Sequence, residues 1–98
     1  MIEVPSLPRT GNNVNALGVP KSYAGGAVTI SLAAARVGAQ AVHGGAHGEG
    51  QNGDFIREVL RENKIGLSSP AVEGKDTGSC YVFVEPSAER TFVTCYGA

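Results

Sequence analysis

Three places in the sequence bring together residue types that can do chemistry. Gly25-Gly26, followed by Thr29, opens an alanine-rich run. Glycines carry no side chain, so a ligand's hydroxyl groups can reach backbone N–H groups at such a helix start. Paired glycines also serve simply as a tight turn, and on the residues alone that plain role is favoured. Gly48-Glu49-Gly50-Gln51-Asn52-Gly53 has the glycine spacing of a dinucleotide-phosphate cradle, set between a strand candidate and a helix candidate. A cradle of that kind wants an acidic residue about twenty positions on, at the end of the next strand. Glu73 and Asp76 stand near that distance, but residues 68–72 make a poor buried parallel strand.

The third place is a set of isolated polar groups. His43 and His47 are four apart across a strand-to-turn break, so they do not share a helical face as paired zinc ligands do, and a metal site is not expected. His47, next to the glycine-rich turn, is the histidine placed to bind a hydroxyl. Arg90 follows Glu89 in a loop, where it is either a solvated surface charge or a group that reaches a ligand or a second subunit. Cys80 and Cys95 are too few for a disulfide framework and are not spaced as a metal knuckle.

These groups need an α/β frame to hold them. Val14 to Leu17 and Ser22 to Ala24 are candidate strands on either side of Pro20. A helix is expected over residues 27–37, with Ile30, Ala33, Ala34 and Val37 on its buried face. Residues 40–46 read as a short strand. A second helix follows from Asp54 to about Asn63, burying Phe55, Ile56, Val59 and Leu60 and turning Arg57, Glu58, Arg61 and Glu62 to water. Asn52 is its expected N-cap, and Asp54 suits the positive end of the dipole. Residues 79–84 and 91–96 flank a turn and predict a β-hairpin; pairing Glu85 with Arg90 would set Cys80 opposite Cys95.

Taken in order, these residues resemble the amino-terminal signature of the PfkB, or ribokinase-like, carbohydrate kinases. Ala24, Gly25 and Ala27 match the small-glycine-small start, and Ser31, Gly38 and Gly48 match the positions that follow. Thr29 stands where the family has an asparagine, so one sugar-binding amide is replaced by a hydroxyl. Leu7-Pro8-Arg9-Thr10-Gly11, Ala34-Ala35-Arg36-Val37-Gly38-Ala39, Asp76-Thr77-Gly78, Glu89-Arg90-Thr91-Phe92 and Tyr96-Gly97-Ala98 extend the resemblance over nearly the whole chain. The family's turn at Gly48 carries two acids, of which Glu49 keeps one and Gly50 has lost the other.

The resemblance implies a single partial ribokinase-like domain over residues 1–98, with lid strands at about 12–24 and 79–96 and part of the parallel-sheet core at about 25–66. It implies a sugar or sugar-like substrate held by Gly25, Gly26 and Thr29, with His47 and Arg90 as further contacts. The family's sugar-holding aspartate, its nucleotide site and its Gly-Ala-Gly-Asp motif do not occur here. ATP and Mg²⁺ therefore belong to the full-length family, and no cofactor and no catalytic residue is expected in this chain. The reading is the sugar-side and lid portion of a kinase, inactive by itself. An alternative is a β-lid module that forms a homodimer, and a weaker one is a dinucleotide-binding domain.

Composition bounds these readings. The chain has 98 residues, 42% hydrophobic and 17% charged, with 14 glycines and no tryptophan. That is globular, with many turns and little aromatic packing. A net charge of -1 offers no electrostatic basis for binding nucleic acid or an anionic membrane. No apolar run has the length of a membrane span and the first residues lack a signal-peptide pattern, so a cytoplasmic location is expected.

Overall fold

Alanine and leucine, the best helix formers, dominate residues 27–36, and in the computed structural model, which describes residues 1–98, they form α1 (Gly26–Arg36). The full order is β1 (Ile2–Glu3), α1, β2 (Val42–His43), α2 (Gln51–Glu62), β3 (Gly66–Leu67), β4 (Ser79–Val84) and β5 (Arg90–Cys95). The mixed α/β class and the terminal hairpin are as expected. The chain divides into two units, Met1–Tyr23 with Cys80–Cys95 and Ala24–Ser79 with Tyr96–Ala98. No helix is long and apolar enough to cross a membrane.

In the Ala24–Ser79 unit, β2 and β3 pair in parallel, Val42 against Gly66 and His43 against Leu67, with α2 as the connection between them. Val28, Leu60 and Ile65 form the buried core, and Leu32, Ala35, Ala41, Ile56 and Val59 pack on it. The face of α1 that is buried differs from the expected one. Val28, Leu32 and Ala35 turn inward at helical spacing, while Ile30 is 73% and Val37 83% exposed. Both faces of this helix are apolar, so periodicity alone could not choose between them.

Each helix ends in a Schellman motif, in which a residue in the left-handed region lets two following N–H groups reach back to the last turn. After α1 the left-handed residue is Gly38, at φ 89; Ala39 N donates to Ala34 O and Gly38 N to Ala35 O, both at 3.1 Å. After α2 the same position is Lys64, at φ 56, with Ile65 N donating to Leu60 O at 2.9 Å. Ile65 and Leu60 are both buried, which supplies the apolar contact that accompanies this motif.

In the other unit the strand order is β1-β4-β5, with β1 parallel to β4 and Ile2 opposite Phe83. Val4 is its buried apolar residue. The strands expected at Val14 to Leu17 and Ser22 to Ala24 do not form. Residues 17–21 instead lie beside β1 through three bonds, Leu17 N to Glu3 O at 2.8 Å, Lys21 N to Met1 O at 3.1 Å and the Met1 amino group to Lys21 O at 2.6 Å. Gly18 and Pro20 break the ladder between them, since proline has no N–H to give.

The hairpin forms in a different register from the expected one. Ala88 N donates to Glu85 O at 2.8 Å and Glu85 N to Glu89 O at 3.0 Å. With Ala88 at φ 68, this is a three-residue loop, a type I turn followed by a left-handed residue. Glu85 therefore pairs with Glu89, and Thr94 comes opposite Cys80, its hydroxyl donating to the Cys80 sulfur at 3.4 Å. Neighbouring residues on a strand point to opposite faces, so Cys80 and Cys95 do not face each other, and both are free thiols. A loop one residue shorter than expected sufficed to change which residues face each other.

Two predictions follow from the packing and the turns. Leu60→Ala lowers the unfolding free energy by about 2–5 kcal/mol, whereas Ile30→Ala changes it by less than about 0.5 kcal/mol, both read by urea denaturation; equal losses would mean that the buried face of α1 is misassigned. Lys64→Gly and Ala88→Gly each stabilise by about 1 kcal/mol, because glycine carries no steric cost in the left-handed region. A loss of stability in either would contradict the turn geometry.

Candidate functional site

The starts of the two helices are built in opposite ways. At α1 the N-cap is Gly25, in extended conformation with φ -74, and no side chain caps the helix. The first turn holds no acidic residue. Thr29 N closes the turn on Gly25 O at 3.0 Å, so the N–H groups before it have no partner within the helix. The Thr29 hydroxyl also donates to Gly25 O at 3.0 Å, which leaves its oxygen as an acceptor.

Neither Gly25 nor Gly26 has a positive φ, and a Cβ built on either would meet nothing within 4 Å. The backbone does not require glycine here, and neither does crowding inside the chain. Glycine in place of alanine costs about 0.5–1 kcal/mol of conformational entropy in a helix. The turn reading of the pair therefore loses its support. What remains is a patch of open space in front of backbone donors, with the Thr29 oxygen on the same helix start.

The start of α2 is closed. Its N-cap, Gly50, has φ 113 and no side chain to offer. The cap comes from Asp76 instead: one carboxylate oxygen accepts from Gly53 N at 3.0 Å and from Thr77 N at 2.8 Å, and the other accepts from Asn52 N at 3.2 Å. The Gly53 N–H bond above all, joined by those from Thr77 and Asn52 and by the Arg57 charge, holds the Asp76 carboxyl below the usual aspartate range against the opposing effect of burial, which outweighs any one of the lesser contributions. Asn52, expected as the N-cap, is a helical residue and donates its side-chain amide to Thr77 O at 3.2 Å.

This arrangement overturns the dinucleotide-cradle reading. A pyrophosphate would need the N–H groups at the start of α2, and Asp76 already occupies them. The acidic residue that sequence spacing marked for a ribose is thus the plug of the phosphate position. Backbone crowding closes it further, since a Cβ on Gly53 would collide with Gly48 O and one on Gly48 with Lys75 O. Nor do any three His, Cys, Asp or Glu side chains converge where a cation could sit.

His47 and Arg57 complete the junction. His47 is 2% exposed. Its Nε2 donates to Ser69 O at 2.9 Å, and its Nδ1 accepts from the Arg57 guanidinium at 2.9 Å. A carbonyl only accepts and a guanidinium only donates, so the ring is neutral with its proton on Nε2. Neither nitrogen is left for a ligand. Arg57, expected to face water, also donates to Gly48 O at 2.7 Å and pairs with Asp54 at 2.8 Å.

Of the residues singled out from the sequence, the fold brings Gly25, Gly26 and Thr29 together. His47 lies inside the junction near α2, and Arg90 begins β5 in the other unit, exposed. The ion pairs of the chain are Arg57–Asp54 and Arg61–Glu58, so Arg90 and Glu89 form none. Sequence reasoning missed Arg57 and the capping role of Asp76. The missing side chain at Gly50 leaves that helix start open to a distant residue, but Gly25 leaves the start of α1 open in the same way, so the sequence alone did not point to Asp76.

The fold and the glycine-led helix start are those of a sugar-kinase class. The sequence profile of the pfkB family carbohydrate kinases matches residues 3–98, and the chain belongs to that family. Among solved structures it resembles the ribokinase from Giardia lamblia, with 27% identity, a TM-score of 0.87, and coverage of 99% of this chain but 32% of the other. The ribokinase from Cryptococcus neoformans var. grubii, solved in complex with ADP, is 26% identical with a TM-score of 0.79 and 99% and 30% coverage. The nucleoside kinase from Methanocaldococcus jannaschii, at 17% identity, TM-score 0.79 and 99% and 33% coverage, shares the fold. The chain thus spans about a third of the length of these structures. No curated protein matches it.

Substitution distinguishes a glycine required by packing from one required by an incoming group. Gly26→Ala raises stability by up to about 1 kcal/mol, and Gly53→Ala lowers it by about 1–3 kcal/mol through overpacking. Thermal denaturation of the two variants checks this; destabilisation by Gly26→Ala would show an internal need for that glycine.

Proposed function

We propose that this chain is the acceptor-side portion of a PfkB-type carbohydrate kinase and that the open start of α1 binds the hydroxyl groups of a sugar or sugar-like molecule. The observation that carries the reading is the Gly25-Gly26 pair, which neither φ nor crowding inside the chain explains. Free backbone donors at a helix N-terminus suit oxygen lone pairs. The Thr29 oxygen accepts in return, so the ligand group beside it is a hydroxyl that donates.

Phosphoryl transfer needs a phosphate cradle, a cation and a positioned base. The residues of this chain fit none of these, and in this reading ATP and Mg²⁺ are held by the part of a full-length kinase that the chain does not span. The chain alone transfers no phosphoryl group, and the setting is cytoplasmic. The hairpin favours a second reading, homodimerisation. All six residues of β5 are exposed, and the strand is paired on one side only, which leaves an edge able to pair with another chain.

Titration with pentoses and hexoses, followed by amide NMR, tests the sugar site. The expected result is that shifts concentrate at Gly25, Gly26, Ala27 and Thr29 and vanish in Gly26→Val. Shifts elsewhere, or none at high sugar concentration, would overturn it. Mixing with a separately made remaining two-thirds of a PfkB kinase is expected to restore sugar-dependent ATP turnover. Light scattering addresses the second reading: a dimer supports it, and a monomer removes it.

A further inference from the structure

Residues 69–78 form a strap across the start of α2, and it is held almost entirely by polar contacts. Backbone bonds fix it at three points, Val72 N to His47 O at 2.8 Å, Glu49 N to Lys75 O at 2.7 Å and Ala98 N to Asp76 O at 2.8 Å. Side chains make the rest. Ser69 O accepts from His47, Gly74 N donates to the Glu49 carboxylate at 3.2 Å, and the Thr77 hydroxyl accepts from Gly48 N at 2.9 Å. Apart from Pro70, its apolar side chains are those of Ala71 and Val72, and Val72 is 37% exposed. Little hydrophobic burial anchors this segment.

Asp76 is the centre of the attachment. Ionised, it accepts from three N–H groups, two on α2 and one on the strap. Protonated, it loses its charge beside the positive end of α2, and one of its oxygens becomes a donor facing other donors. The titratable and charged groups on the surrounding elements are Asp54 and Arg57 on α2, His47 and Glu49 on the turn, with His47 bonded to Ser69 O and Arg57, and Glu73 and Lys75 on the strap itself. The Tyr96–Ala98 segment, whose Ala98 N donates to Asp76 O at 2.8 Å, brings no Asp, Glu, His, Lys or Arg. Arg57 is the charge that acts on Asp76, and it favours the ionised form.

We propose that protonation of Asp76 releases the strap from the start of α2 as a local event, ahead of the melting of the Leu60 core. The core has no part in the titration, because Val28, Leu60 and Ile65 carry no ionisable group. Docking holds the Asp76 carboxyl below its ordinary value. The stabilisation is therefore complete above the ordinary aspartate value of about 3.9 and is lost as pH falls through the lower docked value. Local openings of this kind occur where few apolar contacts oppose them.

The test is amide hydrogen exchange by NMR on the whole chain between about pH 7 and about pH 3, corrected for the intrinsic pH dependence of exchange, with the Asp76 carboxyl carbon followed in the same samples. The expected result is that Asn52, Gly53, Gly74 and Thr77 lose protection with the midpoint of the Asp76 titration, while the Leu60 and Ile65 amides keep theirs. Asp76→Asn is expected to leave the strap amides poorly protected at neutral pH, with no further acid loss. Simultaneous loss of strap and core protection would overturn the proposal, as would strap loss at a midpoint unrelated to Asp76. Both are read on the wild-type chain, so the outcome does not depend on the variant folding.

Discussion

The structure of the α/β unit depends on how the start of α2 is satisfied. A helix leaves its first N–H groups without intrahelical partners, and here the N-cap residue is a glycine with nothing to contribute. The chain solves this from a distance. Asp76 enters from a loop that follows β3, and in doing so it fixes residues 69–78 against the turn that follows β2. Gly48 and Gly53 permit the approach because a side chain at either would displace a neighbouring carbonyl. Arg57 and His47 then tie the same turn to α2 and to Ser69. The result is a junction in which each buried polar group has a partner, the condition under which such groups can be buried at low cost.

Seen against α2, the start of α1 acquires meaning. Both helices follow glycine-rich turns, and both present backbone donors with a positive dipole end. One is filled from within the chain and is spent as structure. The other has no cap, no acid in its first turn and no neighbour in front of its glycines. Glycine spacing in a sequence does not distinguish these cases. The location of the nearest carboxylate does.

The sequence made local features legible and left distant ones hidden. Both helices, the hairpin and the α/β class follow from periodicity and turn residues within windows of a dozen positions. The buried stripe of α2 was mostly readable because polar residues oppose it, although Phe55 is more exposed than expected. The cap on α2 was not readable, because its donor and acceptor lie 23 and 24 residues apart. The hairpin register failed for another reason. A left-handed alanine is uncommon, and with no glycine or asparagine in the loop nothing announced the tighter three-residue turn that ends at Ala88. The proposed sugar site was legible through its resemblance to a family, while the closed state of the glycine turn near α2 required coordinates.

The apolar surface of α1 bears on how this chain relates to a whole kinase. Val28, Leu32 and Ala35 dock the helix on β2 and α2, yet Ile30 and Val37 leave a second apolar face in water. A helix that is apolar on both sides is suited to a position between two layers. The same holds for the sheet, since β2 and β3 are a pair in this chain, whereas parallel strands are ordinarily covered and extended on both sides. Solved relatives about three times as long superimpose on nearly all of these residues. The α/β unit thus resembles part of a larger layered fold, and the open start of α1 lies on the helix that carries the exposed second apolar face. The proposed sugar site and the uncovered apolar face thus lie on one element, which is why a test of the site by itself and a test by complementation address different halves of the same question.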